Sequence, residues 1–176
     1  MPLLAIVGLV LVGLVVIFLA VVALQPSAFR VERSAEIKAS PGEIVLLLQD
    51  FHAWQKWSPW EHLDPNMKRT FSGPAAGPGA VYAWAGNKKA GEGRMTILQS
   101  TPEVVALNLE FIKPWQATNR VEFRLVPAGD STRVTWSMTG TKNFVFKAFG
   151  LVMSMDKLVG GDFERGLKKL GEVAKK

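Results

Sequence analysis

The sequence predicts an α+β protein: a curved antiparallel sheet of about seven strands wrapped on a long C-terminal helix. Two short helices follow the first strand, and one transmembrane helix precedes the sheet. Three observations predict this fold class. An uncharged apolar run covers Leu3–Leu24. Strand-like segments separated by turn residues fill the chain from Phe29 to Gly140. Apolar residues then recur at helical spacing from Asn143 to Ala174.

The N-terminal apolar run is long enough to cross a bilayer. Its 22 residues form a helix of about 33 Å at about 1.5 Å per residue. A cleaved signal peptide usually has basic residues ahead of a shorter apolar core, and no Lys or Arg precedes this one. Although Val21–Ala23 loosely fits a cleavage site, we interpret the run as a single membrane anchor. Pro26 ends the helix, so we predict an anchor and linker in residues 1–28 and a globular domain in residues 29–176.

The charged residues indicate the compartment only weakly. All of them lie at or after Arg30, so the formal net charge of +6 belongs to the globular domain. A positive excess favours phospholipid headgroups or nucleic acid, but the two signs are mostly interspersed and solubility alone explains it. We predict the bilayer as a partner and no nucleic acid. Because Arg30, Arg33 and Lys38 follow the span, the positive-inside rule predicts a cytoplasmic domain.

The globular domain begins with a strand and a capped helix. Phe29–Lys38 alternates apolar and charged residues, as a half-buried strand does. Ser40 is a suitable N-cap, Pro41 suits the first helical position, and Glu43 completes a capping box. A short apolar helix is therefore predicted over Ile44–Phe51.

A second short helix or helical turn and six further strands are predicted next. Ala53–Trp60 contains three tryptophans spaced three apart, and Pro59 ends this helical segment. In the last three strands, apolar residues alternate with polar ones, which predicts an antiparallel sheet with one covered face and one face in water. The six strands are predicted at Met67–Ser72, Gly79–Ala85, Gly91–Ser100, Val104–Phe111, Thr118–Val126 and Thr132–Gly140.

The C-terminal segment, Asn143–Ala174, supplies the cover for the sheet. Gly150, Gly160 and Gly161 weaken this helix and are candidate breaks. Its first part, Phe144–Met155, is too apolar for one face of a surface helix. Three interpretations of that part stay open: a helix buried on several sides, a gate over a pocket, and a patch in contact with the bilayer.

Three motifs add a resemblance to this pattern. Ala39–Val45 opens a helix, Asp50–Trp60 forms an aromatic turn ending in Trp-Ser-Pro-Trp, and Phe163–Leu170 lies in the closing helix. With the order of elements, these motifs resemble the START-like (SRPBCC, helix-grip) superfamily and, within it, the polyketide cyclase/dehydrase-like branch. The resemblance implies a helix-grip fold from Phe29 onward, with a cavity between the sheet and the long helix. These are scaffold motifs, so they imply no particular reaction.

Residues that carry chemistry are sparse. The chain has no cysteine and two histidines, and it contains no metal-ligand, nucleophile-elbow or phosphate-loop motif. We therefore predict no catalytic residue, no metal and no cofactor. His52 and His62, beside Glu61 and Asp64, are candidates for an acid–base pair. A surface loop with local hydrogen bonds is the favoured interpretation of these four residues.

The leading hypothesis is a membrane-anchored binding module for a hydrophobic small molecule or lipid, held between the sheet and the C-terminal helix. One alternative is a cyclase or dehydratase acting on an aromatic or polyketide-like substrate. This enzyme hypothesis is less favoured because no well-placed acid or base is recognisable. The other alternative is a non-ligand regulatory interaction domain with a filled core. The pocket is predicted to be lined by Trp84, Leu107, Leu109, Phe111, Phe123, Trp136, Met138, Phe149 and Met153.

The uncharged run Leu3–Leu24 predicts how the chain fractionates. We expect the full-length protein to sediment with membranes and to resist carbonate extraction, because an apolar helix of this length does not leave the hydrocarbon core. A chain that starts at Ser27 is expected to be soluble. Full-length protein with an intact N-terminus in the soluble fraction would contradict the anchor, and soluble protein cut after Ala23 would indicate a signal peptide.

Overall fold

One antiparallel sheet of seven strands and four α-helices make up residues 3–175, the part of the chain that the computed structural model describes. The helices are α1 (Leu3–Leu24), α2 (Pro41–Gln49), α3 (Phe144–Gly150) and α4 (Met155–Ala174). The strands are β1 (Ala28–Ile37), β2 (Lys68–Ser72), β3 (Val81–Ala85), β4 (Glu92–Ser100), β5 (Val104–Lys113), β6 (Ala117–Ala128) and β7 (Ser131–Thr141). The predicted α+β fold class is confirmed.

The order of the sheet is β1-β7-β6-β5-β4-β3-β2, so the first and last strands are neighbours. Two register shifts between β4 and β5, at Glu92/Gly93 and at Ile97/Gln99, add local bends of the kind that curl a sheet. The helix start at Ser40 has the predicted capping box, in which Glu43 accepts from the Ser40 backbone N–H at 2.8 Å. The second helical segment is a single 3₁₀ turn, Ala53–Lys56.

Helix α1 is long and apolar enough to cross a membrane, with a mean hydropathy of 3.3. It stands almost free of the domain, because Val22 is its one buried residue among those described. At its C-terminal end it contacts α3. There the Lys147 ammonium donates to the Ala23 carbonyl at 3.2 Å, and the Lys142 backbone N–H donates to the Ser27 carbonyl at 2.7 Å.

The core lies between the inner face of the sheet and the helices α2 and α4, and aromatic rings dominate its centre. Trp136 on β7 stacks on Phe163 of α4, with ring centroids 4.3 Å apart and planes at 7°. Trp57 and Phe123 pack against the same indole at 5.6 and 4.8 Å. These rings and their apolar neighbours exclude water from the interface between sheet and helix. Within residues 3–175, the Trp136 indole nitrogen is the one buried side-chain polar atom without a hydrogen-bond partner.

Helix α4 runs without interruption through Gly160 and Gly161, contrary to the expectation that these glycines are candidate breaks. The break falls between α3 and α4, after Gly150, which is the third of the predicted candidates. Two glycines of α4 allow close approach to the sheet. A Cβ at Gly160 would collide with the Arg33 guanidinium, and a Cβ at Gly166 would lie 2.6 Å from Cζ3 of Trp136. The glycines therefore bring the helix onto the sheet rather than interrupt it.

The two glycines Gly166 and Gly161 make a matched test of this packing. We expect Gly166→Ala to lower the free energy of unfolding by about 1–3 kcal/mol, because its methyl group overpacks the contact with Trp136. We expect Gly161→Ala to raise it by up to about 1 kcal/mol, since its Cβ would meet only the Arg165 guanidinium at 3.6 Å. Urea melts of a chain starting at Ser27 measure both. Stabilisation by both substitutions would contradict the close approach of α4 to β7.

Candidate functional site

A cavity of about 290 Å³ opens where the core is not filled. Its walls come from strands β3, β4, β5 and β7, from the 3₁₀ turn and the loop that follows it, from Lys89 and Ala90 between β3 and β4, and from the N-terminal half of α4. Most wall residues are apolar or aromatic, among them Met95, Leu109 and Met138 on the sheet and Val159 and Phe163 on the helix. The site is thus a mainly apolar hollow between sheet and helix, as ligand sites commonly are.

Trp84 on β3 forms one side of the cavity, and its position is set by two neighbours. Its indole N–H donates to the Ala90 carbonyl at 3.0 Å. Its six-membered ring lies over Gly93 of the adjacent strand, where an added Cβ would come within 2.5 Å of Cζ2 and Cη2. Glycine at position 93 therefore lets this large ring lie flat against β4. Phe111 packs edge-on against the same ring at 6.0 Å.

Two polar side chains on the cavity wall, Tyr82 and Glu61, form a cluster with Arg69 behind them. The Tyr82 hydroxyl donates to Oε1 of Glu61 at 2.7 Å, and Nε of Arg69 donates to Oε2 at 2.8 Å. Arg69 also donates to the Glu61 and Met67 carbonyls, at 2.6 and 3.0 Å. The side chain of Glu61 is only 5% exposed, so a buried carboxylate here requires these donors.

The hydrogen bonds to Glu61 favour the protonated forms of its two partners, Tyr82 and Arg69. Burial, followed by the hydrogen bond to Glu61, raises the pKa of the Tyr82 hydroxyl. The hydrogen bond to Glu61 raises the pKa of the Arg69 guanidinium. At neutral pH both groups are protonated, as is usual for tyrosine and arginine, so Tyr82 donates a hydrogen bond to Glu61 and Arg69 carries the charge that balances the carboxylate.

The acid–base candidates do not form one group. Nδ1 of His52 contacts Oδ1 of Asp50 at 3.0 Å, and its ring stacks on Phe71 at the surface. His62 is exposed. Asp64 is buried and accepts from the backbone N–H groups of Asn66 and Asn87, at 2.9 and 2.6 Å. The expectation of a surface loop is thus wrong for Glu61 and Asp64, since both carboxylates are buried and hold the loop in place.

The nine residues predicted to line the pocket lie in three places. Trp84, Leu109, Phe111 and Met138 border the cavity. Leu107, Phe123 and Trp136 are at most 2% exposed and belong to the packed core beside it. Phe149 in α3 and Met153 in the connection to α4 lie on the surface, with 68% and 45% of their area exposed. Within residues 3–175, no three His, Asp or Glu side chains converge to form a metal-binding group.

Tyr82 and Glu61 are among the wall residues that were not predicted from the sequence. The sequence does contain a signal that could have identified Tyr82, because it lies two residues before the predicted wall residue Trp84 and so on the same face of the strand. Glu61 had none, since its burial depends on Tyr82 and Arg69, which are 21 and 8 residues away.

Comparisons with solved structures show the same fold. Norcoclaurine synthase from Thalictrum flavum has a TM-score of 0.63 and 12% identity, covering 85% of this chain and 95% of its own. The Aha1 dimer from Colwellia psychrerythraea has a TM-score of 0.57 and 20% identity, and the match covers 84% of this chain and 99% of its own. A protein from Chromobacterium violaceum has a TM-score of 0.59 and 14% identity, and the match covers 86% of this chain and 99% of its own. At these identities the likeness extends to the fold alone.

Sequence comparison supplies the family. Among curated protein sequences, none matches this chain significantly. The sequence profile described as "Polyketide cyclase / dehydrase and lipid transport" matches residues 28–175, which cover the whole sheet and the helices α2, α3 and α4. With the seven-stranded sheet closed by its C-terminal helix, this match shows that the chain belongs to the polyketide cyclase/dehydrase and lipid transport family.

Proposed function

We propose that this protein is a membrane-anchored binding module for a hydrophobic small molecule or lipid, held in the cavity between the sheet and α4. Membership in a family described by lipid transport and polyketide chemistry supports this class of ligand. The observation that carries the proposal is an apolar cavity whose acidic wall residue, Glu61, is already bonded to Tyr82 and Arg69. An apolar ligand can enter such a cavity without leaving a buried charge unpaired.

The volume of the cavity limits the size of the ligand. About 290 Å³ is near the lower end of the range for small-molecule sites. This size suits a single acyl chain or a small ring compound better than a whole phospholipid. The rings of Trp84, Trp60 and Phe163 on its walls offer flat surfaces for such a ligand.

The anchor places this cavity close to a source of apolar ligand. Nearly the whole length of α1 is exposed, and an apolar surface of this extent is stable in hydrocarbon and not in water. Arg30 and Lys38 follow the span, which favours a cytoplasmic domain. A signal sequence has similar apolar character, and it is distinguished by cleavage near Ala23.

A second candidate function, a cyclase or dehydratase, is favoured by one observation: a buried carboxylate and a tyrosine hydroxyl lie together on the cavity wall. Such an enzyme needs a group that gives or takes a proton from the substrate. Here both Glu61 oxygens accept hydrogen bonds from Tyr82 and Arg69, so a substrate would have to displace one of these donors. This arrangement favours the binding module. A non-ligand regulatory role is less favoured, because the core leaves a cavity.

Filling the cavity is expected to abolish ligand binding. In a chain starting at Ser27, Leu109→Trp puts a larger side chain into the cavity, whereas Asn108→Trp changes the opposite face of the same strand. We expect Leu109→Trp to reduce the fluorescence enhancement of N-phenyl-1-naphthylamine, and to remove any ligand seen by native mass spectrometry of the full-length protein. Asn108→Trp is expected to bind normally. Equal binding by both variants, with unchanged circular dichroism, would place the ligand elsewhere.

Tyr82→Phe tests the polar cluster. Loss of the hydroxyl leaves Oε1 of buried Glu61 without its donor, so we expect the free energy of unfolding to fall by about 1–3 kcal/mol. Thr70→Val removes an exposed hydroxyl and is expected to change it by less than about 0.5 kcal/mol. For a binding module, the ligand that copurifies has the same mass in wild type and in Tyr82→Phe. A different mass in the variant would support the enzyme, because the variant would retain unconverted substrate.

A further inference from the structure

A second cavity, of about 260 Å³, lies at the end of the sheet nearest α1. Its walls come from the start of β1, the β5–β6 connection, the end of β7, helix α3 and the first residue of α4. Phe29, Trp115, Phe146 and Met155 make it mainly apolar, and Phe111 lines both this cavity and the first one. We call it the membrane-side cavity.

The membrane-side cavity adjoins the point where α1 ends. Phe29 follows Leu24 by only five residues, and the Lys142 backbone N–H donates to the Ser27 carbonyl at 2.7 Å. Helix α3 contacts α1, with the Lys147 ammonium 3.2 Å from the Ala23 carbonyl. If α1 spans a bilayer, these contacts hold the mouth of the cavity at the level of the headgroups.

The surface around this cavity is unusually apolar for a part of the domain that faces water. Val152 is 86% exposed, Phe149 68%, Val145 63% and Trp115 49%. Large apolar side chains exposed side by side mark a surface that binds another molecule or a membrane. Tryptophan in particular is enriched at the membrane–water interface. Continuity with α1 identifies the bilayer as what covers this surface.

Two lysines line the membrane-side cavity. Lys113 pairs with Glu92 at 2.9 Å in an exposed ion pair, which is weak enough to be exchanged. Within residues 3–175, no carboxylate oxygen lies within 4.0 Å of the Lys142 ammonium, although this side chain lines the cavity. An apolar hollow with two available cations at its wall matches a molecule that has an apolar chain and a negatively charged head.

We propose that the membrane-side cavity binds an acyl chain of an anionic lipid from the bilayer, with the headgroup phosphate paired to Lys113 and Lys142. This proposal rests on the proposed membrane anchoring and deepens it. The acyl chain lies against Phe111, the side chain that also borders the larger cavity, so the site is where a lipid-derived ligand first leaves the bilayer.

Photolabelling of the full-length protein in phosphatidylcholine liposomes tests this site. Either phosphatidylglycerol or phosphatidylcholine with a diazirine on its acyl chain is added in trace amount, and labelled residues are mapped by mass spectrometry. We expect phosphatidylglycerol to label residues 111–117 and 146–155 more strongly than phosphatidylcholine does. The expected difference is about fivefold for each lysine that pairs with the headgroup phosphate. Equal labelling by the two lipids would overturn the assignment of an anionic ligand.

Substitutions separate this site from general attraction to the membrane. Lys113→Gln with Lys142→Gln is expected to reduce labelling by phosphatidylglycerol to the level of phosphatidylcholine. Lys68→Gln with Lys88→Gln removes the same charge from β2 and the β3–β4 turn, and is expected to leave labelling unchanged. Ala117→Trp is expected to remove the label by filling the cavity. Equal loss in the two double variants, or full labelling of Ala117→Trp, would overturn the site.

Labelling of α1 serves as the internal control. Label on α1 together with an unlabelled membrane-side cavity would overturn this inference and leave the anchor intact. An unlabelled α1 would show that the chain does not enter the bilayer, and would overturn both the anchor and the site that depends on it.

Discussion

The contact between α4 and β7 at Gly166 and Trp136 is the constraint on which the rest of the domain depends. Glycine at position 166 lets the helix backbone approach the indole, which stacks on Phe163 one turn earlier. Trp57 and Phe123 enclose the same ring. A curved sheet can bury its inner face only against another element, and this stack determines how closely α4 lies on it.

The cavity follows from this packing, because the helix is held close to the sheet at one place and leaves space farther along. Toward β3, β4 and β5, the wall is made by side chains that border the cavity, such as Trp84 and Leu109. The loop after the 3₁₀ turn closes this side and brings Glu61 into the interior. Tyr82 and Arg69 compensate for the buried carboxylate, so the cavity offers a ligand an apolar surface with no unbalanced charge on that cluster.

In the proposed function, the two cavities lie on one path for a ligand from the bilayer into the domain. The larger one lies deep between sheet and helix, whereas the smaller one lies beside α1 and α3, and Phe111 borders both. In the proposed arrangement, the bilayer covers the exposed apolar residues around α3, and a ligand moves past Phe111 into the domain. The apolar stretch Phe144–Met155 then serves as a patch in contact with the bilayer, one of the three interpretations that its composition allows.

The sequence by itself determined the order of the helices and strands and the buried face of β1, β5, β6 and β7, because these depend on residues two to four positions apart. It therefore predicted the capping box at Ser40 and the inner position of Trp136. Only the tertiary structure decided which inner residues border a cavity. Leu107 and Leu109 share one face of β5, yet Leu107 is fully buried and Leu109 borders open space. The same holds for Glu61, whose hydrogen-bond partners Arg69 and Tyr82 come from strands β2 and β3. Local patterns carry no information on the distance between a strand and a helix far away in the chain. That distance determines whether the space between them is filled or forms a cavity.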